Sequence, residues 1–260
     1  MKAKICVLFA ILLLSSLSFL FAQQDSKPTR LLIMQDVVYP YKVDAYEKAQ
    51  KEMNEFITKN YPSVTWTCLQ YDNYTYDYIV NLGEYGKIDE MNKMWEDKTK
   101  TVNQDEFKKY ADAFLGTISA THQFVVTKDE KGSYKAKDPY VKQGEGKFYH
   151  WDYFEFIPGM EEDALKVARE EAALSEKLNL RGSFNLWHIS MGQNTNAYVY
   201  ASADKDRISF FTNMEADNKV AAKQMDELDK KFMTYVQKFE HWNGKARPEL
   251  SITSINTANK

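Results

Sequence analysis

The chain has 260 residues, with 34 lysines and arginines against 37 aspartates and glutamates and a formal net charge of −3. Because this balance is close and basic residues gather in only one predicted linker, nucleic acid is not expected as a partner. The length allows one large domain or two smaller domains, each able to bury a core of its own.

Residues 1–22 have the pattern of a secretory signal peptide. Lys2 and Lys4 precede an apolar run over residues 5–21, and the small residue Ala22 ends it. We therefore predict cleavage and a periplasmic or extracellular protein. The alternative is an N-terminal membrane anchor, because the apolar run approaches the shortest length that can span a bilayer. No second apolar run has that length, so no membrane contact is predicted after cleavage.

The first half, residues 29–128, is predicted to alternate strands and helices. Its two helices, over 43–59 and about 103–119, are indicated by apolar residues at helical spacing. Strands are indicated by runs of β-branched and aromatic residues bounded by turn residues. These predicted strands lie at 30–39, on either side of the Asp72–Asn73 turn, and at 122–127, with a short helix near Ile88, Met91 and Trp95.

The second half, residues 148–254, is predicted to repeat the same order after a linker over 129–147, with a frayed end at 255–260. A strand ends at Pro158, a helix covers 160–178, and a hairpin turns at 192–194. The last helix is predicted to continue to Phe239, and the last strand to begin at Arg247. Matches between the halves favour a tandem duplication: Pro40 with Pro158, Lys48 with Lys166, Thr75 with Thr195, and Tyr78 with Tyr198.

Each half thus has the order β-α-β-β-α-β, the ferredoxin-like arrangement. With the strand-proline-helix junctions at Tyr39–Pro40 and Ile157–Pro158, the chain resembles the dimeric α+β barrel superfamily, which includes antibiotic-biosynthesis-type monooxygenases and NIPSNAP proteins. The resemblance implies an α+β fold in which two antiparallel sheets face each other around a ligand cleft. A tandem chain would build this barrel as a single-chain pseudo-dimer.

Strand alternation predicts two faces for the matched hairpins. Ile79, Ala197, Val199 and Ala201 form a small apolar face that suits packing beneath helices. The opposite face carries tyrosines, which we predict to line an amphipathic pocket between the sheets. The alternative is that they fill the interface between the sheets. The residues of this face are Tyr76, Tyr78, Tyr198 and Tyr200.

Histidines are the other candidate ligand-binding residues, since they can act as bases near neutral pH. His150 and Asp152 share one face of their strand, and His188 lies in another strand. His122 and His241 are predicted near the ends of the two long helices. No two histidines have a known metal-ligand spacing, so neither a metal site nor a cofactor is predicted. Cys68 is predicted to be a small core residue.

Three functions remain open from the sequence. The first is a protein that binds a small, partly apolar or aromatic molecule between the sheets. The second, implied by the resemblance, is a cofactor-independent monooxygenase-like enzyme acting on an aromatic substrate, with His150 or His188 as the base. The third is an assembly or interaction module without a ligand. The chain is expected to be a monomer or a weak homo-oligomer.

We expect residues 1–22 to be absent from the mature protein, because signal peptidase removes such segments during export. The intact mass of the protein recovered from its native host checks this. Recovery of the full-length chain in the membrane fraction would contradict it.

Overall fold

The structure is a computed structural model, and it describes residues 28–253. The predicted signal peptide at 1–22 and the frayed end at 255–260 lie outside the described residues. Within the described range, no helix combines the length and the apolar character needed to cross a membrane.

The first half contains four strands and three α-helices. A short 3-10 helix over Pro40–Lys42 leads from the first strand into the first α-helix. The elements are β1 (Arg30–Val38), α1 (Val43–Asn60), β2 (Thr67–Tyr71), β3 (Thr75–Asn81), α2 (Gly86–Thr99), α3 (Gln104–Asp112) and β4 (Ile118–Tyr134).

The second half contains four strands and two α-helices. One long helix takes the place of the two short helices of the first half. The elements are β5 (Phe148–Phe156), α4 (Glu161–Leu178), β6 (Phe184–Met191), β7 (Ala197–Asp204), α5 (Arg207–Met233) and β8 (Val236–Ala246), followed by a 3-10 helix over Pro248–Leu250.

The two helices of the second half have clear local start and stop signals. The first turn of α4 is acidic, which complements the positive end of the helix dipole. The helix ends at Asn179, whose φ of 50° places it in the left-handed region that asparagine tolerates. Helix α5 begins at Asp206, whose side chain accepts a hydrogen bond from the backbone N–H of Ser209.

The eight strands form one closed antiparallel barrel in the order β1-β3-β2-β8-β5-β7-β6-β4. Each half contributes four neighbouring strands, and the halves join at two seams, β2 with β8 and β4 with β6. The predicted fold class, two ferredoxin-like halves facing each other as a pseudo-dimeric α+β barrel, is confirmed. The barrel closes within one chain, although β8 pairs with β2 only over 244–246 and β4 pairs with β6 only from Val125 onward. The expected oligomeric state stays a prediction.

The two halves repeat the same strand pairing. The pairing register of β1 with β4 shifts at Val38, which lies opposite Ile118. The register of β5 with β8 shifts at the equivalent residue, Phe156, which lies opposite Val236. Helices α1 and α4 both have 18 residues. The predicted match of Pro40 with Pro158 therefore agrees with the structure.

The predicted match of Tyr78 with Tyr198 is wrong by two residues, which is one full period of a strand. In the first half Tyr76 pairs with Asp36 of β1. In the second half Tyr198 pairs with Phe154, at the equivalent place in β5. Tyr76 thus corresponds to Tyr198, and Tyr78 corresponds to Tyr200.

The orientation predicted for the two hairpin faces is also wrong. Tyr76 and Tyr78 pack beneath α1, where the Tyr78 and Tyr46 hydroxyls are 2.7 Å apart. Tyr198 and Tyr200 lie on the corresponding outer face, beneath α4. Alternation shows which residues share a face but not which face is inward. The small apolar face points into the barrel, and its residues are Ile79, Ala197, Val199 and Ala201.

Several aromatic side chains pack together in the barrel interior, among aliphatic residues of the same cluster. Trp242 stacks on Tyr153 with ring centroids 5.6 Å apart, and Tyr71 contacts Trp151 edge to face at 5.6 Å. Gly244 of β8 lies against Tyr71, where a Cβ atom would come within 2.8 Å of the ring. The small residues of β7 leave room for these large rings.

Two predicted helices end earlier than expected, and this moves His241 from a predicted helix end into a strand. Residues 228–239 keep helical spacing, yet α5 ends at Met233 and β8 begins at Val236, because pairing with β5 overrides local preference. His241 therefore lies in β8 and not at a helix end. Likewise β4 begins at Ile118, so His122 lies in that strand.

Two chain connections also differ from the prediction. Strand β4 continues to Tyr134, so residues 135–147 connect the halves instead of 129–147. Arg247 does not begin the last strand but follows it, and it leads into the 3-10 helix. Cys68, as predicted, is a fully buried core residue, and burial raises the pKa of its thiol well above the ordinary value.

Arg247 links the second half to the first through a buried ion pair. Its guanidinium donates to both carboxylate oxygens of Glu47 on α1, at 2.5 and 2.6 Å, and to Glu249 at 2.6 Å. Gln70 of β2 accepts a further hydrogen bond from it. The pair supports the β2–β8 seam, which has only three registered residue pairs.

We expect Arg247→Met to lower the free energy of unfolding by about 3 kcal/mol, because Glu47 would remain as a largely buried carboxylate that keeps the Tyr76 hydroxyl as a donor but loses its guanidinium partner. Arg207→Met is the matched control. Arg207 also joins the halves, through Asp72, but that pair is more than half exposed and should contribute less than about 1 kcal/mol. Urea unfolding of both variants measures the difference. Equal losses would contradict the role given to Arg247.

Candidate functional site

The structure contains a cavity on the outer side of the second-half sheet, here called the outer cavity, with a volume of about 440 Å³. Helices α4 and α5 cover it on one side, and strands β5, β7 and β8 form its floor. The connecting segment at 139–141 and the loop at 180–183 form its rim. The walls are mainly apolar and sulfur-containing: Phe154, Phe210, Met214, Met225, Phe232 and Phe239.

A buried carboxyl group faces this apolar space. Glu171 projects from α4 and is only 8% exposed. The Tyr200 hydroxyl donates to its Oε2 at 2.7 Å, while no described residue donates to Oε1. Burial raises the pKa of Glu171 to about 7, although the hydrogen bond from Tyr200 opposes the shift. Glu171 can therefore change its charge near neutral pH.

His150 and Asp152 reach the same cavity from the outer face of β5. Asp152 pairs directly with His241 of β8, and His150 pairs with Asn243. His150 Nε2 lies 3.1 Å from Asp152 Oδ1, and His241 Nδ1 lies 2.5 Å from the same oxygen. Burial lowers the pKa of His150, but hydrogen bonds to Asp152 and Asn243 outweigh it, so the pKa is raised overall.

A second cavity of about 550 Å³ opens between the two sheets at one end of the barrel, here called the barrel cleft. Its floor includes Trp151 and Trp187. The indole N–H of Trp151 is buried and has no hydrogen-bond partner among the described residues. Three lysines line the rim: Lys128, Lys135 and Lys142.

The structure brings three of the seven predicted ligand-binding residues together. His150, Asp152 and Tyr200 all line the outer cavity. His188 does not line either cavity, since its Nε2 contacts the Thr195 carbonyl and its ring packs on Tyr198. The other three are core residues that line neither cavity: Tyr76, Tyr78 and Tyr198.

Sequence reasoning missed two residues of this site. Glu171 lies on the apolar stripe of α4, with buried Val167, Ala168 and Ser175 at helical spacing. A charged residue at a buried helical position was therefore a detectable signal. His241 was missed because it was predicted to lie near the end of a helix. Only the pairing of β8 with β5 brings it next to Asp152.

We expect Glu171 to make the protein less stable as the pH rises. A folded-state pKa near 7, against 4.5 unfolded, means that the folded state holds the proton more tightly, so stability falls between these two values. Between about pH 5 and about pH 8, the titration of Glu171 should lower the free energy of unfolding by about 2 to 3 kcal/mol.

Glu171→Gln should remove this part of the pH dependence and make the protein more stable than wild type at about pH 8. The matched control is Glu170→Gln, because Glu170 is the exposed neighbour on the same helix. Denaturant unfolding at both pH values gives the difference. A wild-type slope that persists in Glu171→Gln would show that the carboxyl group does not titrate as described.

No protein-family model matches the chain, and no curated protein matches it. Among solved structures, it is similar to an anthrone oxidase-like protein, with TM-score 0.55 and 9% identity over 86% of this chain and 92% of that one. It is also similar to a protein provisionally named a monooxygenase from Lactobacillus acidophilus NCFM, with TM-score 0.50 and 9% identity over 88% and 97%. These likenesses concern the fold. The chain has the dimeric α+β barrel fold that its sequence indicated, built here from one polypeptide.

Proposed function

We propose that the protein binds a small, mainly apolar molecule with a positively charged or hydrogen-bond-donating group, and that the outer cavity is the binding site. This proposal rests on one observation: the buried carboxyl group of Glu171 lies in a cavity with aromatic walls. We also propose, from the sequence alone, that the protein acts outside the cytoplasm after loss of residues 1–22.

The size of the outer cavity suits this role. Ligand pockets commonly have volumes of about 300 to 1,000 Å³ with mostly apolar walls and a few polar groups. The outer cavity has about 440 Å³ and this kind of lining. A module that only binds other proteins would not need such a cavity, so the geometry favours ligand binding over that third hypothesis.

The charges around the outer cavity favour a cation over an anion. Asp217 is already satisfied by the backbone N–H groups of Arg181 and Gly182, whereas Glu171 Oε1 has no protein donor. A ligand ammonium or N–H could donate to that oxygen and offset its desolvation. The lining has five carboxylates against one arginine and one histidine: Asp152, Glu171, Asp204, Asp217 and Asp229 against Arg181 and His150.

Binding of a cation should depend on pH through Glu171. A bound ammonium favours the ionised carboxylate, whose pKa of about 7 in the free protein would then fall. Affinity should therefore weaken as the pH falls below about 7, and binding near neutral pH should release a proton.

An oxidative enzyme of the cofactor-independent monooxygenase type is the second candidate function. His150 favours it, because this histidine lies in the cavity wall and Asn243 holds its Nδ1; to act as a general base it would accept a proton on Nε2 after the contact of that nitrogen with Asp152 opens. The names of the two structural neighbours refer to oxidation reactions, and those names describe the neighbours themselves. Dioxygen consumption that depends on an added aromatic substrate would separate this candidate from binding alone.

Two ligands with the same ring and opposite charge test the proposed binding site. Tryptamine carries an ammonium group, and indole-3-acetate carries a carboxylate. We expect tryptamine to bind at least about tenfold more tightly at about pH 8, measured by isothermal titration calorimetry. Glu171→Gln should weaken tryptamine binding by about ten- to a hundredfold, while Glu170→Gln should leave it unchanged.

The opposite preference would place the ligand elsewhere. If indole-3-acetate binds more tightly and Glu171→Gln does not change its affinity, the ligand site is the barrel cleft. There the free N–H of Trp151 and the lysines of the rim could hold a carboxylate.

A further inference from the structure

We infer that His150, Asp152 and His241 together bind a divalent transition-metal ion on the outer face of β5 and β8. Two imidazoles and one carboxylate form a donor set that suits zinc and iron(II). This inference does not rest on the proposed function, since it needs no organic ligand.

The strand pairing explains how these three residues meet. His150 and Asp152 are two positions apart on β5, so they share a face. His241 is the direct neighbour of Asp152 on β8. The three ligand atoms all lie within 4.8 Å of one another. Donors bound to one zinc ion lie about 3 to 4 Å apart, so only small side-chain shifts are needed.

The hydrogen bond of His150 to Asn243 prepares one nitrogen for a metal. The Asn243 amide oxygen, which can only accept, lies 2.9 Å from His150 Nδ1. The ring therefore carries a proton on Nδ1 and directs Nε2 toward Asp152. Metal-binding histidines are commonly oriented in this way by a second hydrogen bond.

The contact of His150 with Asp152 is one that a metal ion would replace. His150 Nε2 lies 3.1 Å from Asp152 Oδ1, so in the metal-free protein a proton on Nε2 joins the two atoms, and a metal ion would displace that proton. The same oxygen is 2.5 Å from His241 Nδ1. A metal ion coordinated by both nitrogens and the carboxylate would satisfy all three groups.

Neighbouring aromatic rings hold the two imidazoles in place. Phe210 packs on His150 with ring centroids 4.8 Å apart, and Phe239 packs on His241 edge to face at 4.3 Å. Ligands whose rings are already oriented lose less conformational freedom on binding. The cluster is therefore largely preformed.

The site would leave coordination positions open. His150 and Asp152 line the outer cavity, while the side chain of His241 is 55% exposed to solvent. Three protein ligands with an open position are typical of metal sites that bind a water molecule or a small ligand. An ion here would face the apolar walls of the outer cavity on one side and solvent on the other.

Zinc titration of the purified protein after chelator treatment tests the inference. Isothermal titration calorimetry should show one Zn²⁺ ion bound per chain, and the melting temperature should rise with Zn²⁺. His241→Ala and Asp152→Asn should each weaken binding by about a hundredfold or more, and Asn243→Ala by about ten- to a hundredfold. His122→Ala and His188→Ala are matched controls, since both histidines lie outside the cluster, and should bind Zn²⁺ as wild type does.

Three results would overturn the inference. One is the absence of stoichiometric Zn²⁺ binding by the wild-type protein. Another is an unchanged affinity in His241→Ala, which should fold normally because its side chain lies at the surface. A loss of binding in the control variants as large as that in His241→Ala would likewise count against it, since the ion would then lie elsewhere.

Discussion

Closure of the barrel within one chain is the constraint on which the rest of the structure depends. The seam of β4 with β6 is long, whereas the seam of β2 with β8 has three registered pairs. Arg247 supports the short seam by pairing with Glu47, and the backbone N–H of Cys68 donates a hydrogen bond to the Ser251 hydroxyl oxygen. The helices pack on the outside of the closed barrel, and the outer faces are where the two halves differ.

The two halves fill their outer faces differently, and this difference produces the outer cavity. Helix α1 presents Tyr46 to its sheet, where its ring contacts Tyr76 at 4.8 Å. The equivalent position of α4, which has the same length, is occupied by Ala164. The first half also covers its sheet with two short helices, while α5 crosses the second half as one helix of 27 residues. The residues of α4 that line the outer cavity are Glu171 and Ser175, and the equivalent positions of α1 carry the apolar residues Met53 and Ile57.

Most of the architecture could be predicted from the sequence because its signals are local. Helical spacing located α1, an acidic first turn located α4, and the strand-proline junctions at Pro40 and Pro158 located the repeat. The inward face of the sheet could not be predicted, because alternation is symmetric between the two faces. The end of α5 was missed because Tyr235, Val236 and Phe239 continue its spacing, and only pairing with β5 shows that Val236 and Phe239 belong to a strand.

The candidate site was therefore predictable only in part. His150, Asp152 and Tyr200 were identified from strand faces, although the cavity they share lies outside the barrel and not between the sheets. His241 joins them across a sequence separation of 89 residues, a distance at which no spacing rule applies. Glu171 was visible as a charge at a buried helical position. What it faces depends on α5, whose course the sequence did not show.

A crystal structure of the protein with bound tryptamine tests the central claim, that the ligand site is the outer cavity, most directly. The account predicts ligand density beneath α5, with the ammonium group within hydrogen-bonding distance of Glu171 Oε1 and the indole ring against Phe154 and Phe232. Density inside the barrel cleft beside Trp151, with the outer cavity holding only water, would contradict it.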